Sequence, residues 1–135
     1  MGTWGPGNFD SDNACEYLDQ LLDQLIQNIE KIMTELAGEN PFYAMEEYGD
    51  QIMMPALDVV LTLSRHYDER PHLESKQIEL WRDTYLDIYD RSIHPSGVKP
   101  DFDQLPEDDY SKQRRLIIMD TFNQLKAIAL KREKL

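Results

Sequence analysis

The sequence predicts an all-α, single-domain bundle of about four main helices, preceded by a Gly-rich N-terminal plug. Three observations predict it. Apolar residues recur at helical spacing along four long segments, no segment alternates apolar and polar residues as a half-buried strand requires, and Gly and Pro mark breaks between the segments. A chain of 135 residues is the size of one ordinary domain and buries a core without metal or disulfide. Residues 1–135 therefore read as one helical domain, with a plug at 1–10 and an acidic loop at 94–109.

The first helix is defined by Leu18, Leu21, Leu22, Leu25, Ile26, Ile29, Ile32, Met33 and Leu36, whose spacing puts them on one face. Asp10, Ser11, Asp12 or Asn13 supplies its cap, with Glu16 placed to complete a capping box from Asn13. Gly38 stops it, and Asn40-Pro41 begins a turn. A second helix runs from Gly49 or Asp50 to Tyr67 with Ile52, Met53, Leu57, Val60, Leu61 and Leu63 as its core residues, and a shorter helical turn fits Phe42 to Tyr48. Pro55 predicts a late start or a kink, since proline has no N–H to donate.

After the connection Asp68-Glu69-Arg70-Pro71-His72, a third helix from Ser75 to Ile93 carries the aromatic stripe Ile78, Trp81, Tyr85, Leu86, Tyr89 and Ile93. His94-Pro95-Ser96-Gly97 breaks it. The fourth helix spans Asp108 to Lys131, with Tyr110, Ile117, Ile118, Phe122, Leu125, Ile128 and Leu130 as core candidates, and Lys126, Lys131 and Arg132 suit the negative end of its dipole. In the plug, Gly5 and Gly7 allow a sharp turn that folds Trp4 and Phe9 back onto the bundle.

The net charge of −12 is unevenly distributed. Residues 1–109 hold 24 Asp and Glu against 7 Lys and Arg, whereas residues 110–135 hold 2 against 7. An acidic surface of this kind repels phosphate backbones, which makes nucleic acid an unlikely partner. The basic C-terminal segment is expected to lie against acidic helices and balance charge within the fold. No apolar run reaches the length of a membrane span, and the start has neither the basic-then-apolar pattern of a signal peptide nor a myristoylation signal, so a cytoplasmic protein is expected. Cys15, the only cysteine, reads as a buried structural thiol.

Catalytic patterns are thin. His66, His72 and His94 match no zinc spacing, and Asn8, Asp10 and Asp12 begin like a calcium loop but lack its glycine and closing glutamate. Carboxylate pairs such as Glu46 and Glu47, Asp83 and Asp87, and Asp87 and Asp90 are expected in any chain with 26 acids. No catalytic residue, metal site or cofactor is predicted.

The opening Met1-Gly2-Thr3-Trp4-Gly5-Pro6-Gly7-Asn8-Phe9-Asp10-Ser11-Asp12-Asn13-Ala14 resembles the start of a bacterial family catalogued as domain of unknown function 4259. Members of that family look like M-G-x-W-G-x-G-x-F-x-x-D-x-A, matched here at Trp4, Gly5, Gly7, Phe9, Asp12 and Ala14. The resemblance implies a bacterial helical domain and supplies no activity or catalytic residues.

The acidic loop is the remaining functional signal. Asp101, Asp103, Glu107, Asp108 and Asp109 place five acids in nine positions beside Phe102, Leu105 and Tyr110. Such a surface suits a basic protein partner, with charge steering the encounter and aromatic residues supplying anchors. The expected function is an acidic protein-protein interaction module, in its sharpest form an immunity or antitoxin-like inhibitor of a basic bacterial protein such as a toxin. Asp101, Phe102, Asp103, Glu107, Asp108, Asp109 and Tyr110 are its candidate contacts. The alternative is a small metal-binding enzyme using carboxylates with His66 or His72. The aromatic third helix also offers a face for a homodimer.

Overall fold

The computed structural model describes residues 2–93 and 109–134. Those residues form an all-α bundle of four main helices: α1 (Asp12–Leu36), α3 (Met54–His66), α4 (Ser75–Ser92) and α5 (Asp109–Glu133). A short α2 (Pro41–Ala44) and a π-helical segment (Met45–Met53) lead directly into α3. α1 packs on α2, the π segment, α3 and α4, while α5 packs chiefly on α4 and also on α3.

α1 starts where Ser11, in extended backbone, accepts the Ala14 N–H at 3.2 Å, so the cap falls on Ser11 rather than Asn13. Along α1, Leu18, Leu22, Ile26, Ile29, Met33 and Leu36 step by four or three residues and are all buried. Each such side chain contributes about 1.5–3 kcal/mol relative to leaving it in water. The row meets Leu57, Val60 and Leu61 of α3 and Ile78 and Tyr85 of α4 in one continuous core.

The second predicted helix is longer and less regular than its pattern suggested. From Pro41 to His66 the chain stays helical, but Met45–Met53 widens into π turns, in which the Met54 N–H donates to the Gly49 carbonyl five residues back. Pro55 then stands where the π turns give way to regular helix, and because it has no N–H to donate the ladder lacks one bond at that junction. The wider turns also change the facing of side chains, and Ile52, expected in the core, is exposed while Met53 and Met54 are buried.

α5 corrects three more assignments. Tyr110, Ile117 and Leu130 were core candidates by apolarity, yet all three are exposed. Leu116-Ile117-Ile118-Met119 is apolar on consecutive positions, which no single helix face can bury. Packing selects Ile118, Phe122, Leu125 and Ala129, spaced by four, three and four, leaves Leu116 and Ile117 outside, and half-buries Met119 against the core.

The opening segment is pinned to the start of α1 by an isolated antiparallel bridge between Thr3 and Ser11, with Trp4 N–H donating to Asp10 O at 2.9 Å and Asp12 N–H donating to Gly2 O at 2.6 Å. Asp10 Oδ2 accepts the Gly7 N–H at 2.7 Å, and a Cβ at Gly5 or Gly7 would stand 2.6 Å from that oxygen. A side chain at either position would therefore displace the Asp10 carboxylate from this bond. Only Phe9 turns inward, its ring centroid 4.4 Å from that of Tyr67, whereas Trp4, expected beside it, is exposed.

Candidate functional site

The sequence-predicted contacts divide at the start of α5. Asp101, Phe102, Asp103, Glu107 and Asp108 lie outside the described residues, as does His94, and Asp109 is described only as the first residue of α5. Tyr110 is described, and 73% of its surface is exposed. It lines two adjacent hollows. One, of about 560 Å³, lies between α3 and α5 and is bordered by Asp50, Pro55, Asp58, Arg114 and Ile117. The other, of about 300 Å³, is bordered by Glu46, Asp50, Tyr89 and Ile93. Asp50 and Tyr110 belong to both, so the two form one trough at the start of α5.

The trough is rigid at its centre. Tyr85, fully buried on α4, donates its hydroxyl to Asp50 Oδ1 at 2.8 Å, and Arg114 reaches both oxygens of Asp50 at 3.1 and 3.3 Å. Gly49 makes this approach possible, because a Cβ there would lie 2.9 Å from the Tyr85 oxygen and 2.7 Å from the Met45 sulfur. Burial first, and the neighbouring Asp50 second, push the Tyr85 phenol far above its ordinary value, so it stays a neutral donor. Burial also raises Tyr89, to about 12, and its hydroxyl bonds to the Ser111 carbonyl at 3.2 Å. The sequence signal available for this network was the helical placement of Tyr85 and Tyr89. The bond from Tyr85 to Asp50 spans 35 positions and that from Tyr89 to Ser111 spans 22, and both are visible only once the helices pack.

The basic helix lies against acidic partners, as its charge predicted. Arg114 pairs with Asp50, Arg115 pairs with Asp90 through two bonds of 2.9 and 3.1 Å, and the Lys126 ammonium binds Glu79. Two of the carboxylate pairs noted above separate into salt bridges, with Asp83 on Arg82 and Asp87 on Arg91. Glu46, Glu47 and Asp58 are exposed.

His72 Nδ1 lies 3.1 Å from Asp23, and the His66 ring meets Tyr67 edge-on. Among the described residues, no group of three His, Cys, Asp or Glu side chains converges as a metal site would require. Cys15, expected to be buried, is half-buried and hydrogen-bonds the Phe9 carbonyl at 3.4 Å. Burial, Glu69 and Asp12 all raise its thiol pKa, which disfavours the thiolate a nucleophile needs. Among the described residues, no helix is long and apolar enough to cross a membrane.

Comparison with curated proteins and with solved structures finds no match. Residues 2–105, which span α1 to α4 and exclude α5, match the model of the family described as Domain of unknown function (DUF4259), and the chain belongs to that family.

Proposed function

We propose that this protein is an acidic protein-protein interaction module of the cytoplasm and acts as an immunity or antitoxin-like inhibitor of a basic bacterial protein. The observation that carries the reading is the trough at the start of α5. There Glu46, Asp50 and Asp58 surround an exposed tyrosine, and among the described residues that border it Arg114 is the only cation. Carboxylates around aromatic and aliphatic anchors suit a cationic protein surface, with charge accelerating encounter and Tyr110 desolvating on contact. A nucleic-acid enzyme is cationic around its active site, so a small domain of net charge −12 is matched to cover it. Asp101, Phe102, Asp103, Glu107, Asp108 and Asp109, which precede Tyr110 in sequence, are the further residues proposed for this contact.

The test is co-expression with each basic protein that the genes beside this one encode. Relief of its toxicity is expected, together with a complex that dissociates as salt is raised. The combined substitution Asp101→Lys, Asp103→Lys, Glu107→Lys and Asp108→Lys should abolish both effects. Absence of any basic neighbour whose activity this protein suppresses would sink the inhibitor reading.

A further inference from the structure

The groove between α3 and α5 has the length and chemistry of a helix-binding site. On α5, Tyr110, Arg114, Ile117 and Thr121 step by four, three and four residues, so they share one face, and Pro55 and Asp58 border the groove from α3. At about 1.5 Å per residue the row from Tyr110 to Thr121 extends about 16 Å, or three helical turns. Tyr110 and Ile117 are 73% and 54% exposed. Exposed apolar residues scattered singly need no explanation, but these two line one groove with Pro55.

The charges decide what fits. Arg114 is held by both oxygens of Asp50, which leaves the Asp58 carboxylate without an ion pair among the described residues. An anionic segment would meet that carboxylate and a chain of net charge −12. An extended segment would gain no backbone pairing here, since the described residues form no sheet. A helix presents anchors at intervals of about seven residues, the separation of Tyr110 and Ile117.

We propose that this groove docks an amphipathic helix of the partner, with its apolar face on Tyr110, Ile117 and Pro55 and a lysine or arginine on Asp58. The proposal rests on the reading of the protein as a binder of cationic proteins and names the contact through which it binds. Because the partner is unidentified, the probe is a synthetic Lys/Leu helical peptide of about 18 residues, long enough to hold helix on contact. A Glu/Leu peptide of the same pattern and polylysine serve as comparisons.

Calorimetry and amide chemical-shift mapping on the intact chain supply the readouts, at about 50 mM salt. The Lys/Leu peptide should bind, shifting amides of Met54–Asp58 and Tyr110–Thr121. Ile117→Glu and Asp58→Lys should each weaken it at least tenfold without changing the thermal midpoint, since both side chains are exposed. Binding of the Glu/Leu peptide as tightly as the Lys/Leu peptide would overturn the assignment of charge. A footprint elsewhere, or undiminished affinity in Ile117→Glu, overturns the groove and leaves the cationic-partner reading standing. Failure of both Lys/Leu peptide and polylysine to bind overturns both readings.

Discussion

Glu133, in the last turn of α5, accepts the backbone N–H and the hydroxyl of Ser75, the first residue of α4, at 2.7 and 2.9 Å. The residue before Ser75, Glu74, makes no capping bond with its own side chain, so the start of α4 is capped by the far end of a different helix. These bonds hold the Glu133 carboxyl below its ordinary value of 4.5. A lowered folded-state value means stability that is complete above the unfolded value and is lost as pH falls through the folded one. Glu133→Ala should lower the thermal midpoint and speed exchange of the Ser75 amide. The gap between the variant and the native chain should close as pH drops below 4.5, which melts at a series of pH values would measure.

Glu69 predicts the opposite sign. Burial first, and Asp19 second, raise its carboxyl above 4.5. Its contribution is therefore complete below 4.5 and is lost as pH rises through the raised value, so at neutral pH the ionised pair is a cost. Glu69→Gln should raise the thermal midpoint at pH 7 and lose that advantage in acid. Unchanged or lower stability at pH 7 would contradict the assignment.

Gly49→Ala should destabilise the fold by about 1–3 kcal/mol in urea titration, because the new methyl overlaps the Met45 sulfur and the Tyr85 oxygen. Tyr85→Phe removes the oxygen and should cost about 1–2 kcal/mol in the native background, leaving Asp50 one donor short. Combined, the two substitutions should cost less than their sum, since each relieves part of what the other creates. Strict additivity would mean that Gly49 and Tyr85 are not in contact.

Arg115→Met should cost about 3–5 kcal/mol, because Asp90 is 2% exposed and loses a two-bond partner. Adding Asp90→Leu should recover a large part of that loss, since removing both charges also removes their desolvation penalty. Denaturant midpoints of the single and double variants decide the point.

At the N-terminus, Phe9→Ala should cost about 1–3 kcal/mol through its lost packing on the core and Tyr67. Trp4→Ala should fall within about 0.5 kcal/mol of the native chain, since the indole is exposed. A large loss in Trp4→Ala would place the indole against the bundle after all.

How much of this was legible depends on how far each feature reaches along the chain. α1 and α4 followed from periodicity because a single apolar row faces one core, and α4 falls within one residue of its predicted bounds at Ser75–Ser92. The π segment was hidden because its wide turns leave no signature in spacing, although Pro55 marked where regular helix resumes. At the trough, Tyr110 was named from sequence as an aromatic anchor beside the acids. Asp50 and Arg114 meet across 64 positions, and nothing local distinguished that aspartate from the other acids.

By itself the sequence determined the helical class, the breaks after α1 and α4, and the opposition between an acidic body and a basic final helix, because each depends on neighbours within a few residues or on summed charge. Only the tertiary structure decided which face of α5 is buried. Four consecutive apolar residues from Leu116 to Met119 offered several faces, and the packing of Ile118, Phe122, Leu125 and Ala129 chose one. That choice turned Tyr110 and Ile117 toward solvent beside α3 and made the groove.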